Sequence, residues 1–318
     1  MTGLIVRRLI QLPLILLVIY TFTFALAWLI PGNPLENPEG RRPPPEVEQA
    51  MLEQYNLNNP MVFYWDYLGK ASGVSWALGL HDRPFDLGPS LQHPDWTVNE
   101  ILRANLPISM SLGLLAVVLG LVIGLLTGIV GAVRPNTWLD YSTLVIALIG
   151  ISLPTFVIGT TLLVIFAVYL PVFPIAGWGT WRDPILPAVT LSLPIAAYIA
   201  RLTRFGMIEQ MASDHIRTAR AKGAGEYRVV MKHALKNAFL PVLSYLGPAA
   251  AAAMTGSFVV EKVFAVPGIG THFVDAVLSK DLTMIMGVVL VYATLLILFN
   301  LIVDVMYGVV DPRIRVTG

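Results

Sequence analysis

The sequence contains no cysteine, and charged residues make up only 13% of its 318 positions. The lack of cysteine excludes disulfide frameworks, thiolate metal sites and cysteine nucleophiles. A soluble domain carries charge on about a quarter of its residues, so much of this protein's surface must face something other than water. Hydrophobic residues reach 56% and the mean hydropathy is +0.70. The composition therefore indicates a membrane protein.

Several motifs of enzymes and ion-driven transporters are also missing. The sequence has no GxxxxGK[ST] phosphate loop, no HExxH zinc motif and no GxSxG nucleophile motif. The five histidines are scattered without metal-ligand spacing: His81, His93, His215, His233 and His272. No relay of acidic residues runs along the apolar segments. An intramembrane enzyme is therefore disfavoured, and a stand-alone ion-driven transporter or channel is a remote alternative.

Long apolar runs dominate what is present. About 20 apolar residues are needed to cross about 30 Å of hydrocarbon, and six stretches are long enough. We therefore expect an all-α, polytopic membrane protein with six transmembrane helices, at about 9–30, 106–133, 141–170, 184–204, 239–260 and 284–308. The first run continues beyond "ALAW" at 25–28, which resembles a signal-peptidase site, so we expect a retained helix rather than a cleaved signal peptide.

The distribution of basic residues predicts the orientation. With the N-terminus in the cytoplasm, the inner segments hold 13 of the 21 Lys and Arg residues and the outer segments hold eight. This bias, and the even number of spans, predict cytoplasmic N- and C-termini. The expected order is an N-terminal transmembrane helix (1–30), an extracytoplasmic segment (31–105), a core of five transmembrane helices (106–308) and a cytoplasmic tail (309–318).

The inner loop at 205–238 combines basic charge with a helical apolar pattern. Six apolar residues fall on one predicted helix face: Tyr227, Val230, Met231, Ala234, Leu235 and Ala238. Arg228, Lys232 and Lys236 form a basic row on the other face. Gly223 suits the left-handed C-cap of a preceding short helix, which predicts helix, turn and helix. Such a unit lies on the membrane surface or under the bundle and faces lipid headgroups or a partner; a loop that only orients the protein is the simpler alternative.

Residues 217–241, "RTARAKGAGEYRVVMKHALKNAFLP", resemble a loop in the membrane subunits of binding-protein-dependent ABC importers. That loop reads Glu-Ala-Ala, three residues, Gly, nine residues, Ile-x-Leu-Pro. Gly223 takes the Gly position, Thr218 and Ala219 take the small positions, and His233 and Leu235 stand for Ile and Leu. Arg217 replaces the Glu and Lys236 the Pro, departures that resemble the oligopeptide/dipeptide (peptide/nickel) permease branch.

Other segments extend this resemblance over nearly the whole chain: "RRLIQLPLILLVIYTFTFAL", "PGNP", "LNNPMVFYWDYL", "LPISMSLGLL", "ILPAVTLSLP", "EKVFAVPGIG" and "DVMYGVVDPRIR". It implies a type I ABC importer permease fold in a bacterial inner membrane. The implied partners are a second homologous permease, two ATPase subunits that hold ATP and Mg, and an extracytoplasmic binding protein. Membrane lipid surrounds the bundle, whereas no nucleic acid, metal or cofactor is expected on this chain.

In such importers the loop forms a coupling helix that seats on the ATPase subunit. The resemblance places an ATPase-coupling site at eight residues: Asp214, Arg217, Thr218, Ala219, Lys222, Gly223, Ala224 and Gly225. Small residues allow close docking, and a bulky side chain at Ala219 or Gly223 should uncouple transport. Dipeptides or oligopeptides are the implied cargo; nickel complexes, glutathione and oligosaccharides remain alternatives.

Three further groups are candidates for function. Ser244, Thr255 and Ser257 would line the translocation path, although the small residues around them equally suit close helix contacts. Pro267, Gly268 and Gly270 should break any helix at an outer gate or a structural re-entrant plug. Asp304 would form an ion pair with Arg201 or Arg204, because ionisable groups in spans are costly unless paired.

The segment 31–105 is less regular. We expect a short amphipathic helix from Glu46 to Tyr55, in a segment that either helps to dock the binding protein or caps the bundle.

Overall fold

The computed structural model describes residues 2–36, 42–93, 95–255 and 257–310, and the regular structure in these ranges is helical. The helices of the first half are α1 (Thr2–Leu29), α2 (Pro45–Gln54), α3 (Pro60–Ala71), α4 (Val74–Ala77), α5 (Val98–Val133), α6 (Trp138–Ser152) and α7 (Thr155–Leu163). Those of the second half are α8 (Ile185–Met211), α9 (Asp214–Ala221), α10 (Glu226–Arg228), α11 (Leu235–Ala238), α12 (Leu240–Met254), α13 (Phe258–Val263), α14 (Ile269–Leu278) and α15 (Leu282–Val310). Two π-helical segments, Val164–Tyr169 and Val229–Ala234, follow α7 and α10.

Helix length and composition support the expected number of spans. Within the described ranges, four stretches are long and apolar enough to cross a membrane alone: Val6–Leu29, Val98–Val133, Ile185–Met211 and Leu282–Met306. Two bent pairs raise the number to six if each pair is one span: Trp138–Ser152 with Thr155–Tyr169, and Glu226–Ala238 with Leu240–Met254. The helix predicted at Glu46–Tyr55 is also present, as α2.

The third predicted span, 141–170, is wrong as a single helix. It bends by 105° between α6 and α7. The cause is Pro154, because proline disfavours the α conformation in the residue before it. Leu153 is accordingly extended, with ψ 135°.

The fifth predicted span, 239–260, is also divided. Its helix α12 ends at Met254, and the short helix α13 begins at Phe258. The sequence between them, "TGS", consists of residues that are poor helix formers. Thr255 turns its hydroxyl back to the carbonyl oxygen of Ala251, at 2.8 Å.

The chain divides into two compact units. The N-terminal unit contains the described residues of 6–108 and 268–295, and the core unit contains the described residues of 2–5, 109–267 and 296–310. In the N-terminal unit, aromatic side chains of α1 pack on those of α3: Tyr20, Phe24 and Trp28 with Phe63, Tyr64 and Tyr67. Residues 60–71 are therefore folded onto the first helix.

A buried carboxylate holds the loops of the N-terminal unit. Asp281, 1% exposed, accepts hydrogen bonds from the Ser90 hydroxyl at 2.6 Å and from the Met284 backbone N–H at 3.1 Å. Nearby, the Gln92 amide donates to the carbonyl oxygens of Pro34 and Ser279, at 2.9 and 3.1 Å. These contacts join chain segments up to 191 residues apart.

Helix α8 lies at the centre of the core unit, where it contacts α6, α7, α11, α12 and α13. A row of glycines on α5, Gly120, Gly124 and Gly128, packs against α8, because small residues four positions apart let helices approach closely. A Cβ atom on Gly124 would lie 2.7 Å from the Ala196 carbonyl oxygen, and one on Gly128 would lie 2.7 Å from that of Ala200. Larger residues would therefore separate the two backbones.

Candidate functional site

A sharp turn, which we call the elbow (residues 222–225), ends α9. Gly223 has φ +80° and its N–H donates to the Arg220 carbonyl at 2.9 Å, while the N–H of Ala224 donates to the Ala219 carbonyl at 3.1 Å. This pair of bonds is a Schellman motif, which favours glycine in the left-handed position. The predicted helix, turn and helix are therefore present.

The inner face of α9 packs on the protein itself. Ile216 is fully buried and Ala219 is 9% exposed. They join a cluster of buried apolar residues from α8 and the helices after the elbow: Met207, Val229, Val230, Ala234 and Ala238. Ala219 therefore faces inward, so a bulky residue there would disturb this packing in the free chain.

The outer face is open. Asp214, Arg217, Thr218, Lys222 and Gly225 are exposed, as is Gly223. A Cβ atom added at Gly223 or Gly225 would meet no atom within 4 Å. The half-buried Ala224 lies between these glycines. The exposed face thus combines glycine backbone that no side chain covers with the positive charge of Arg217 and Lys222.

An ion pair bridges the elbow. The Arg220 guanidinium donates to both carboxylate oxygens of Glu226, at 2.8 and 3.2 Å, and this hydrogen bonding raises the pKa of Arg220. The bidentate geometry restrains the angle between α9 and α10 more firmly than a single contact would.

The apolar face predicted after the elbow is partly wrong. Tyr227 is 82% exposed and Met231 is 41% exposed, whereas Val229 and Val230 are buried. The π-helical segment Val229–Ala234 causes the difference, because its wider turn shifts the register of an ideal α-helix.

The predicted ion pair of Arg204 with Asp304 is wrong. Arg204 instead grips Asp140, with Nε to Oδ1 at 2.5 Å and Nη2 to Oδ2 at 2.8 Å. Asp140 is fully buried in the first turn of α6, and Arg201 is exposed. The sequence signal for Asp140 was an acid at the start of an apolar helix, directly after the Asn136–Thr137 turn.

The candidate path residues lie at different places in the core unit. Ser244 is exposed on α12, and its hydroxyl donates to the Leu240 carbonyl at 3.3 Å. Thr255 bonds its own helix end, and Ser257 precedes α13. The exposed face of α12 carries Pro241, Ser244, Pro248 and Ala252. This face carries small side chains, one of them a hydroxyl, unlike the exposed face of α1, which bears Leu14, Val18 and Phe22.

The candidate outer gate is only partly irregular. Pro267 precedes the extended Gly268, which begins α14, but Gly270 lies inside that helix. The expectation that Gly270 breaks a helix is therefore wrong. Within the core unit, Glu261 and Phe264 of the preceding segment are buried, and the Ser109 hydroxyl donates to Glu261 at 2.7 Å.

Comparison with known proteins finds similarity over nearly the whole chain. Residues 98–316 match the family model of the binding-protein-dependent transport system inner membrane component, and residues 1–113 match that of the N-terminal part of such components. The chain is 39% identical over 316 residues to the dipeptide transport system permease protein DppB of Bacillus subtilis, covering 99% of this chain and 98% of that protein.

Two more relatives are similarly close. The chain is 41% identical over 318 residues to the oligopeptide transport system permease protein OppB of Salmonella typhimurium, covering 99% of this chain and all of that protein. It is 39% identical over 316 residues to DppB of Lactococcus lactis, with the same coverage. The chain therefore belongs to the family of binding-protein-dependent transport system inner membrane components, as a multi-pass permease.

Proposed function

We propose that this chain is the permease subunit of an ATP-driven importer of dipeptides or oligopeptides. The observation that carries the proposal is full-length similarity, at 39–41% identity, to permeases named for dipeptide and oligopeptide transport. Nickel complexes, glutathione and oligosaccharides are the alternative substrates. Uptake of labelled di- and oligopeptides by the complex with its cognate binding protein, against nickel as competitor, tests the substrate class.

The energy comes from separate ATPase subunits that dock at the elbow. This chain carries no GxxxxGK[ST] phosphate loop, so ATP and Mg bind to the partners. Two features support the elbow as the docking surface. Its glycines present open backbone, with no atom within 4 Å of either added Cβ, and Arg217 and Lys222 lie exposed around them.

The exposed face of α12 lines half of the translocation path. A face that met lipid would be expected to carry large apolar side chains, because burial of apolar area in lipid is what stabilises it. Ser244, Pro248 and Ala252 do not fit that expectation. A second, homologous permease subunit completes the path, so that six spans from each chain enclose it.

The distribution of charge supports the sidedness. The elbow and its flanking helices carry Arg217, Lys222 and Lys232 on the inner side, as the positive-inside rule requires. Residues 31–105 then lie outside, where they meet the binding protein.

The variant Gly223→Trp tests the elbow. In the described part of the chain, no atom lies within 4 Å of a Cβ added at this position, so the indole would project outwards, to the side where we propose that the ATPase docks. We expect insertion and partner assembly to persist while binding-protein-dependent uptake falls at least tenfold. Gly177→Trp is the matched control, because Gly177 also has a positive φ, +124°, and open space around it. Full uptake by an assembled Gly223→Trp complex would sink the proposed coupling role.

A further inference from the structure

The ion pair between Asp140 and Arg204, which we call the clamp, has no part in the docking surface. It joins residues 64 positions apart, on α6 and α8. Its side chains are 1% and 14% exposed. A buried bidentate pair fixes the relative position of the two groups that it joins. The clamp therefore holds the first turn of α6 against the C-terminal third of α8.

Helix α8 leads from the clamp directly to the elbow. It runs unbroken to Met211, and α9 begins three residues later at Asp214. Gln210, near the end of α8, contacts both the turn before α9 and helix α11. Its carbonyl accepts from the Ser213 N–H at 3.0 Å, and its side-chain oxygen accepts from Asn237 Nδ2 at 3.1 Å. Movement of α9 or α11 is thus passed to the end of α8.

Apolar packing adds to this connection. Met207 is fully buried, between the clamp and the elbow, in the cluster that holds Ile216 and Val229. Because a well-packed interior deforms little, α8 and both helices that flank the elbow move as one body.

The clamp extends that body to the α5–α6 corner. The Asn136 backbone N–H donates to Asp140 Oδ2 at 2.9 Å, so the carboxylate also holds the turn between the two helices. A Cβ atom on Gly131 of α5 would lie 3.0 Å from Asp140 Oδ1 and 3.5 Å from Arg204 Cδ. α5, α6 and α8 therefore converge at this pair.

We infer that Asp140 and Arg204 are positioning residues for transport, which transmit the movement of the ATPase-docked elbow from α8 to the α5–α6 corner. This inference rests on the proposed function. Without the clamp, the ATPases still dock and hydrolyse ATP, but the movement of the elbow is transmitted to α6 only through apolar packing. The predicted defect is a lower number of substrates imported per ATP hydrolysed.

The test uses the full complex, with binding protein and ATPases, in proteoliposomes. Arg204→Met and Asp140→Asn should each lower the ratio of uptake to ATP hydrolysis at least fivefold. Arg201→Met is the matched control, an exposed arginine of the same helix three residues earlier, and should leave the ratio unchanged. An unchanged ratio in assembled Arg204→Met complexes overturns the inference.

A second pair of variants applies if single changes prevent assembly. The double variant Asp140→Asn with Arg204→Met removes both charges, so no buried ion is left without its partner. We expect it to assemble and still show the lowered ratio; recovery of the normal ratio would mean that charge balance alone matters and would overturn the inference. Gly223→Trp, measured in parallel, separates the two proposals. If Gly223→Trp lowers uptake but the Asp140 and Arg204 variants keep the normal ratio, only the positioning role of the clamp is refuted. If Gly223→Trp keeps full uptake, the coupling role of the elbow is refuted.

Discussion

The elbow and the Asp281 network of the N-terminal unit differ in exposure and in the sequence separation of the residues that they join. The elbow is exposed and its turn is closed by bonds between residues no more than six positions apart, such as Arg220 to Glu226. Asp281 is buried and binds Ser90, 191 positions away. The elbow leaves its outer surface uncovered, as the proposed docking role requires, whereas the network uses its polar atoms to fix loops inside one unit. The elbow therefore lacks the long-range contacts that stabilise the N-terminal unit.

Replacement of Asp281 by Ala should give the largest loss of stability. It leaves the buried Ser90 hydroxyl without its acceptor and removes the N-terminal cap of α15, at a combined cost of about 3 kcal/mol. Thermal unfolding of the purified complex, followed by tryptophan fluorescence, measures the effect. Asp82→Ala, at an exposed carboxylate, is the control; equal melting temperatures for the two variants would refute the contrast.

Replacement of Gly223 by Ala should have an intermediate effect. Its φ of +80° is strained for any residue with a Cβ, which costs about 1 kcal/mol. Gly88→Ala is the matched change in the N-terminal unit, since Gly88 has φ +78° and an added Cβ would only touch Thr283 at 3.5 Å. We expect similar small shifts in melting temperature, but a reduced ratio of uptake to ATP hydrolysis for Gly223→Ala alone.

Replacement of Arg217 by Ala should have the smallest effect on stability. Its ion pair with Asp214, at 3.3 Å, is between side chains that are 74% and 96% exposed, and such pairs contribute little. The melting temperature should not change, while the apparent affinity of the ATPase subunit for the permease should fall. Lys236→Ala, which removes an exposed charge away from the elbow, should leave that affinity unchanged. A clear drop in melting temperature for Arg217→Ala would show that the elbow is held together like the scaffold.

The elbow was accessible to prediction because its signals are local. Gly223 predicts the turn by itself, because glycine readily adopts the left-handed conformation that the turn requires. The direction of Ala219 was not accessible, since it depends on residues of other helical segments, such as Met207 and Ala234, that share its buried cluster. The same applies to Tyr227, which the π-helical segment after it separates from the buried face.

Long-range pairing was the least predictable feature. From the sequence, Asp304 was expected to pair with Arg201 or Arg204, because the pattern does not show that Asp140, at the start of α6, meets α8. The tertiary structure selects Asp140 because the α5–α6 turn brings its carboxylate to α8, where the glycine row keeps the helices close.

The sequence by itself determined the membrane class, the approximate positions of the apolar helices and the elbow. These follow from the thickness of the bilayer, from the need of each backbone to satisfy its own hydrogen bonds there, and from glycine at one turn. Only the tertiary structure decided which face of α9 is free and which carboxylate holds Arg204. Those features depend on contacts between helices far apart in the chain, and no local pattern encodes which faces will meet.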